Sequence, residues 1–217
     1  MGNLDMTKVL VLGAGGQIAH WVVEALRNDG TVRQTLFLRH ARKLRGPVPR
    51  NARVIEGDVL DRGKLDAAMA DQDIVYANLT GGDIDVQAKS IIASMQARGA
   101  KRLVFVTALG IYNEVPGKFG KWNDSMIGED LKPFRRAADA IEASDLEYTI
   151  VRPAWLQDDD EIGYETTEKG TPFKGTEVSR RSVADLIVKI IHSPQLHLRS
   201  SIGVNKPGTE GDKPSFY

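Results

Sequence analysis

The feature that most constrains this chain is an alternation. Short apolar runs take turns with helical patterns along nearly all of its 217 residues. Runs at 9–12, 35–38, 53–55, 74–77, 103–106 and 148–151 read as strands, with a seventh, weaker one near 201–204. Between them, helical patterns fall at 18–28, 63–69, 86–98, 132–144 and 183–192. Ser182 and Asp185 suit the start of the last helix, and Pro194 follows its end. Continuous apolar runs fit strands buried on both faces, and strand–helix alternation joins them by right-handed crossovers. The expected fold is a doubly wound parallel α/β sheet. One core can sustain this length, so residues 1–217 are expected to form a single domain with a polar C-terminal tail at 206–217.

The first junction is informative. In KVLVLGAGGQIAHWVVEAL, the run Val9–Leu12 breaks into Gly13-Ala14-Gly15-Gly16, and Ile18, Val22 and Leu26 then recur four apart. Glycines there permit a tight turn and a close backbone approach, and the helix N-terminus behind them offers free N–H groups to a phosphate. The spacing Gly13-x-x-Gly16-x-x-Ala19 fits a nucleotide turn better than Gly-x-Gly-x-x-Gly, which fails at Ile18. No Gly-Lys-Ser/Thr follows, which excludes an ATPase phosphate loop.

Composition excludes several classes. Lys+Arg and Asp+Glu are both 29, so charge argues neither for nucleic acid nor for an anionic membrane. There is no cysteine, hence no thiolate catalysis, disulfide or cysteine-based zinc site. His20, His40, His192 and His197 lack ligand spacing, and Asp158-Asp159-Asp160-Glu161 lacks the pattern of a calcium loop, so no metal site is expected. MGNLDMTK carries no apolar signal core and no segment is long enough to span a membrane, which points to the cytoplasm.

An NAD site should place an acid at the end of the second strand, about 20 residues past the glycines. None occurs between Asp29 and Glu56, whereas Arg33, Arg39, Arg42, Lys43, Arg45, Arg50 and Arg53 do. Arg39 sits at the strand end, where a guanidinium can grip a 2′-phosphate, while a solvated basic face accounts for others of the run. NADP(H) is therefore expected over NAD(H). Asp58, in Gly57-Asp58-Val59, can accept from the adenine amino group. Asn78-Leu79-Thr80-Gly81, Thr107-Ala108 and Arg152-Pro153-Ala154-Trp155 bring small or polar residues to the later strand ends.

GAGGQIA, GDVLD, VFVTALGIY and EASDLEYTIVRPAW, in this order, resemble the atypical short-chain dehydrogenase/reductases. More narrowly they resemble the NAD(P)H-binding, NmrA-like group that also includes flavin and biliverdin reductases. The resemblance runs from Lys8 to about Pro207. It implies a Rossmann-type fold and a cofactor site at Gly13, Gly15, Gly16, Gln17, Ile18, Arg39, Asp58, Val59, Asn78, Leu79, Thr107, Arg152 and Pro153. Gly13, Gly16 and Ile18 would carry the pyrophosphate, with Thr107 and Pro153 on the nicotinamide side.

Catalytic members of the wider superfamily use Tyr-x-x-x-Lys, in which the lysine lowers the tyrosine's pKa. Four residues after Tyr76, Tyr112, Tyr148 and Tyr164 stand Thr80, Pro116, Arg152 and Glu168, so that dyad is excluded. Hydride transfer to a flavin- or quinone-like acceptor does not require it. Thr107 and Tyr112 are the catalytic candidates, although Tyr112 reads slightly better as a loop anchor.

Two connections, at about 108–131 and 154–181, exceed what the fold needs, and they hold nearly half of the aromatic residues. A substrate pocket with Tyr112, Trp122 and Trp155, or aromatics pinning loops to the body, explains this equally well. The expected function is an oxidoreductase passing hydride from NADPH to a flat conjugated small molecule. The alternative is a non-catalytic NADP(H) sensor acting through a protein partner. Without a basic stripe or helix-turn-helix pattern, no direct nucleic-acid partner is expected.

Overall fold

The computed structural model describes residues 6–217; the N-terminal stretch read for a signal core falls mostly outside them. The chain folds as one Rossmann-like α/β unit. Its strands are β1 (Thr7–Leu12), β2 (Val32–Leu38), β3 (Ala52–Glu56), β4 (Ile74–Ala77), β5 (Arg102–Val106), β6 (Glu147–Pro153), β7 (Trp155–Gln157), β8 (Glu165–Glu168), β9 (Glu177–Ser179) and β10 (Ser200–Asn205). Its helices are α1 (Gln17–Ala25), α2 (Arg62–Met69), α3 (Ile84–Arg98), α4 (Gly117–Glu142) and α5 (Arg180–His192). The main sheet runs β3-β2-β1-β4-β5-β6-β10-β8, parallel except for β8, and β7 pairs with β9 alongside it.

Alternation along the strands divides two cores. Val9, Val11, Val104, Val151 and Ile202 face α1 and α5, whereas Leu10, Leu12, Leu103, Phe105 and Ile150 face α2, α3 and α4. The order reverses between β1 and β4, so the carboxyl ends of these strands open a crevice where such sheets take ligands. Among the described residues no helix is long and apolar enough to cross a membrane.

Two segments differ from the sequence reading. The connection expected over 108–131 is loop only as far as Pro116; from Gly117 the chain is already α4, which continues unbroken through the helix expected at 132–144. The connection expected over 154–181 contains β7, β8 and β9. The last helix also begins earlier than expected: Ser179, not Ser182, caps it by accepting from the Ser182 N–H.

Candidate functional site

After Leu12 the backbone turns over Gly13 to Gly16 and enters α1. Gly13 is left-handed, with φ +78°, and a Cβ there would lie 2.2 Å from the Asn78 carbonyl oxygen. A Cβ on Gly16 would lie 2.1 Å from Asn78 Nδ2. Gly13 is thus required by the approach of the turn to the end of β4, while Gly16 leaves room for the Asn78 side-chain amide against the turn. Gly16 caps α1 with no side-chain hydrogen bond, which leaves the first-turn N–H groups at Gln17 and Ile18 for an outside acceptor. The Ile18 side chain itself is in the core.

A cleft of about 250 Å³ surrounds this turn. Of the residues singled out in the sequence, the structure gathers Gly13, Gly15, Gly16, Arg39, Asp58, Val59, Asn78 and Leu79 along it. Asp58 Oδ1 accepts from the Leu60 N–H at 3.0 Å, and its other oxygen remains for a ligand. Arg39 and Lys43 line the cleft, are exposed, and form no ion pair among the described residues. Lys43, Asp83 and Gln87 are cleft residues that sequence reasoning missed. Lys43 was hidden in the basic run. Asp83 and Gln87, four apart at the start of α3, join through Gln87 Nε2 donating to Asp83 Oδ1 at 2.7 Å. That spacing was the available signal.

A second group forms beyond the carboxyl end of β6. Trp122 of α4 and Trp155 of β7 pack with ring centroids 4.9 Å apart, and Tyr217 meets them edge-on at 5.0 and 5.1 Å. The buried Asn123 accepts from Trp155 Nε1 at 2.8 Å, which fixes the indole. Tyr217 arrives on a tail held by Ser215, whose N–H and hydroxyl both donate to the Glu177 carboxylate. The expected polar tail therefore delivers an aromatic ring, and nothing local in its sequence announces that.

Tyr112 is not part of this group. Trp122 and Trp155 pack against the core on the α1/α5 side, whereas Tyr112 packs against the other. Its hydroxyl donates to Glu142 at 2.7 Å, and Arg135, Arg152 and Lys169 crowd its ring. Burial, and then the Glu142 carboxylate, push this hydroxyl well above the ordinary phenol range, which is the wrong direction for a proton donor. Arg152 also departs from its expected place. It is fully buried on the Tyr112 side, bonded to Glu114, to the Ser201 hydroxyl and to the Thr167 and Ser201 carbonyls, with no nitrogen left for a cofactor. Parity could have revealed this, because Arg152 alternates with Val151 and shares a face with Ile150. Thr107 and Pro153 end neighbouring strands beyond the cleft lining, and the Thr107 hydroxyl lies 3.2 Å from the Val151 carbonyl to which it donates.

The family model for NAD(P)H-binding proteins matches residues 13–194. The chain belongs to that family. Within it, the resemblance to atypical short-chain dehydrogenase/reductases holds. A Rossmann-fold NAD(P)-binding family protein from Shigella flexneri is 56% identical, covers 98% of this chain and 100% of its own, and superposes with a TM-score of 0.86. A short-chain dehydrogenase/reductase from Veillonella parvula, solved in complex with NADP, is 30% identical over 97% of this chain and 99% of its own, with a TM-score of 0.90. YhfK of Bacillus subtilis, named an uncharacterized sugar epimerase, is 27% identical over 95% of this chain and 96% of its own. The glycine turn, the uncapped α1 terminus and the cationic wall of the cleft fit the dinucleotide that this NAD(P)H-binding family takes.

Proposed function

We propose that this chain is an NADPH-dependent reductase that passes hydride to a flat, conjugated small molecule of the flavin or quinone kind. The observation that carries this reading is the Trp122–Trp155 pair, beyond the end of β6 and on the same edge of the sheet as the glycine-lined cleft. An aromatic wall there would hold a planar acceptor by stacking. When bound, the dinucleotide supplies the hydride; the chain's work is placement. The N-terminus of α1 takes the pyrophosphate, Asp58 accepts from the adenine amino group, and Arg39 and Lys43 grip a 2′-phosphate. The lack of any carboxylate between Asp29 and Glu56, and the NADP held by the Veillonella relative, support the choice of NADP. Because Thr107 gives its hydrogen to the Val151 carbonyl, it does not protonate the acceptor. The proton then comes from water.

The Tyr164 hydroxyl accepts from Lys189 at 3.0 Å, but it is shared with Asp185 of α5 and does not line the cleft. This lack of a proton donor also suits a non-catalytic sensor that acts through a protein partner and must tell NADP from NADPH. One set of measurements separates the two. NADPH consumption is followed with a panel of flavins, quinones and aldehydes, and NADP, NADPH and NADH are titrated by calorimetry. Turnover with a planar acceptor above the protein-free rate is expected. No turnover, with a clear NADP/NADPH affinity gap, would favour the sensor. Arg39→Ala with Lys43→Ala should weaken NADPH by about tenfold or more and leave NADH unchanged.

A further inference from the structure

The basic run of the sequence divides between two ends of the sheet. Arg39 and Lys43 go to the cofactor cleft, whereas Arg33, Arg50 and Arg53 go to the opposite edge, where the parallel strands begin. There, with Lys8, they line a second cleft of about 320 Å³. Strand register sets Lys8, Arg33 and Arg53 on one face, and Arg50 reaches the cleft from the turn before β3. Lys8 is opposite Arg33, and Arg53 is opposite Thr35, whose hydroxyl accepts from Arg53 Nε at 3.1 Å. Like charges facing each other across adjacent strands repel. None of the four has an ion-pair partner among the described residues, so their charges stand uncompensated within one cleft.

The cleft also has an unsatisfied acceptor. Gln72, only 8% exposed, lines it with its Oε1 unpaired, while its Nε2 makes a long 3.3 Å bond to the Ala70 carbonyl. A buried acceptor without a donor is costly, and a ligand hydroxyl would relieve it. Asp71 at the same cleft is a second acceptor, and its charge disfavours a bare polyanion that lacks hydroxyls.

We propose that this cleft is a binding site, distinct from the cofactor site, for a small phosphorylated polyol of sugar-phosphate class. The guanidiniums of Arg33, Arg50 and Arg53 and the Lys8 ammonium take the phosphate through charge-assisted hydrogen bonds. Gln72 and Asp71 take the hydroxyls. The site does not depend on the reductase reading.

The test is calorimetry on the full chain holding one equivalent of NADP, with ribose 5-phosphate, inorganic phosphate and ribose as probes. Ribose 5-phosphate should bind saturably, more tightly than either of the others, and more weakly as salt is raised. Arg33→Gln with Arg50→Gln, both exposed positions, should weaken it by about tenfold or more while NADP binding stays as in the unmodified chain. Gln72→Leu should abolish the advantage over inorganic phosphate; if that variant fails to fold, the arginine variant still decides. The proposal is overturned if the NADP-loaded chain binds no ribose 5-phosphate, or if the double variant binds it equally well. Equal binding of inorganic phosphate would overturn the polyol assignment.

Discussion

Single side chains at the glycine turn are fixed by one neighbour, Asn78. Gly13→Ala would place a methyl on a backbone carbonyl and force a left-handed φ on alanine, so unfolding titrations should show a loss of about 2–4 kcal/mol. Gly16→Ala meets chiefly the Asn78 side-chain amide, with the Gly13 carbonyl oxygen next at 3.2 Å, and Gly16→Ala combined with Asn78→Ala should recover most of the stability lost by Gly16→Ala alone. Tyr112 gives a contrasting case. Its hydroxyl is bound to Glu142, which Lys169 also holds. Tyr112→Phe should therefore cost about 1 kcal/mol in stability and leave turnover of any accepted substrate unchanged. A large fall in kcat would instead return Tyr112 to the chemistry.

At the scale of elements, α4 shows what sequence patterns reveal and what they conceal. The inner strands were legible because runs such as Val9–Leu12 and Leu103–Val106 must be apolar on both faces. The glycine turn was legible because its residues and spacing are local. The first half of α4 was not, because Gly117, Gly120 and Gly128 are poor helix formers and weaken any helical pattern there. Gly120 is there for another reason: a Cβ would come within 2.1 Å of the Val115 carbonyl oxygen, so the loop before the helix can pack only on glycine. The aromatic group was half legible. Trp122 and Trp155 could be guessed from their loops, but Tyr217 joins them through tertiary contacts far along the chain. Helix pairing yields a pH prediction. Asp85 of α3 accepts from Arg136 of α4 at 2.7 Å, and that hydrogen bond holds its carboxyl below the usual carboxylate range. A depressed folded pKa contributes stability above about pH 4 that fades as pH falls through the folded value. Asp85→Asn should cost up to about 1 kcal/mol at neutral pH in chemical denaturation, and the gap from the unmodified chain should narrow at pH values below about 4.

For the whole molecule, the sheet separates two environments. Its carboxyl edge carries the glycine cleft and the aromatic group, and its amino edge carries the basic cleft. The flanks of the sheet pose a different problem, since a terminal strand exposes unpaired backbone groups on which another chain can nucleate cross-β growth. Here β8, the antiparallel strand, occupies one flank. It is four residues long, with Glu165 and Glu168 at its ends and the exposed Thr166 between them. A second molecule adding there would set glutamate against glutamate. Thr166→Val with Glu168→Val should therefore raise light scattering on mild heating, well below the unfolding transition, without changing NADP affinity. Reversing the direction of its last strand lets the fold end its sheet in a short acidic segment that resists being copied.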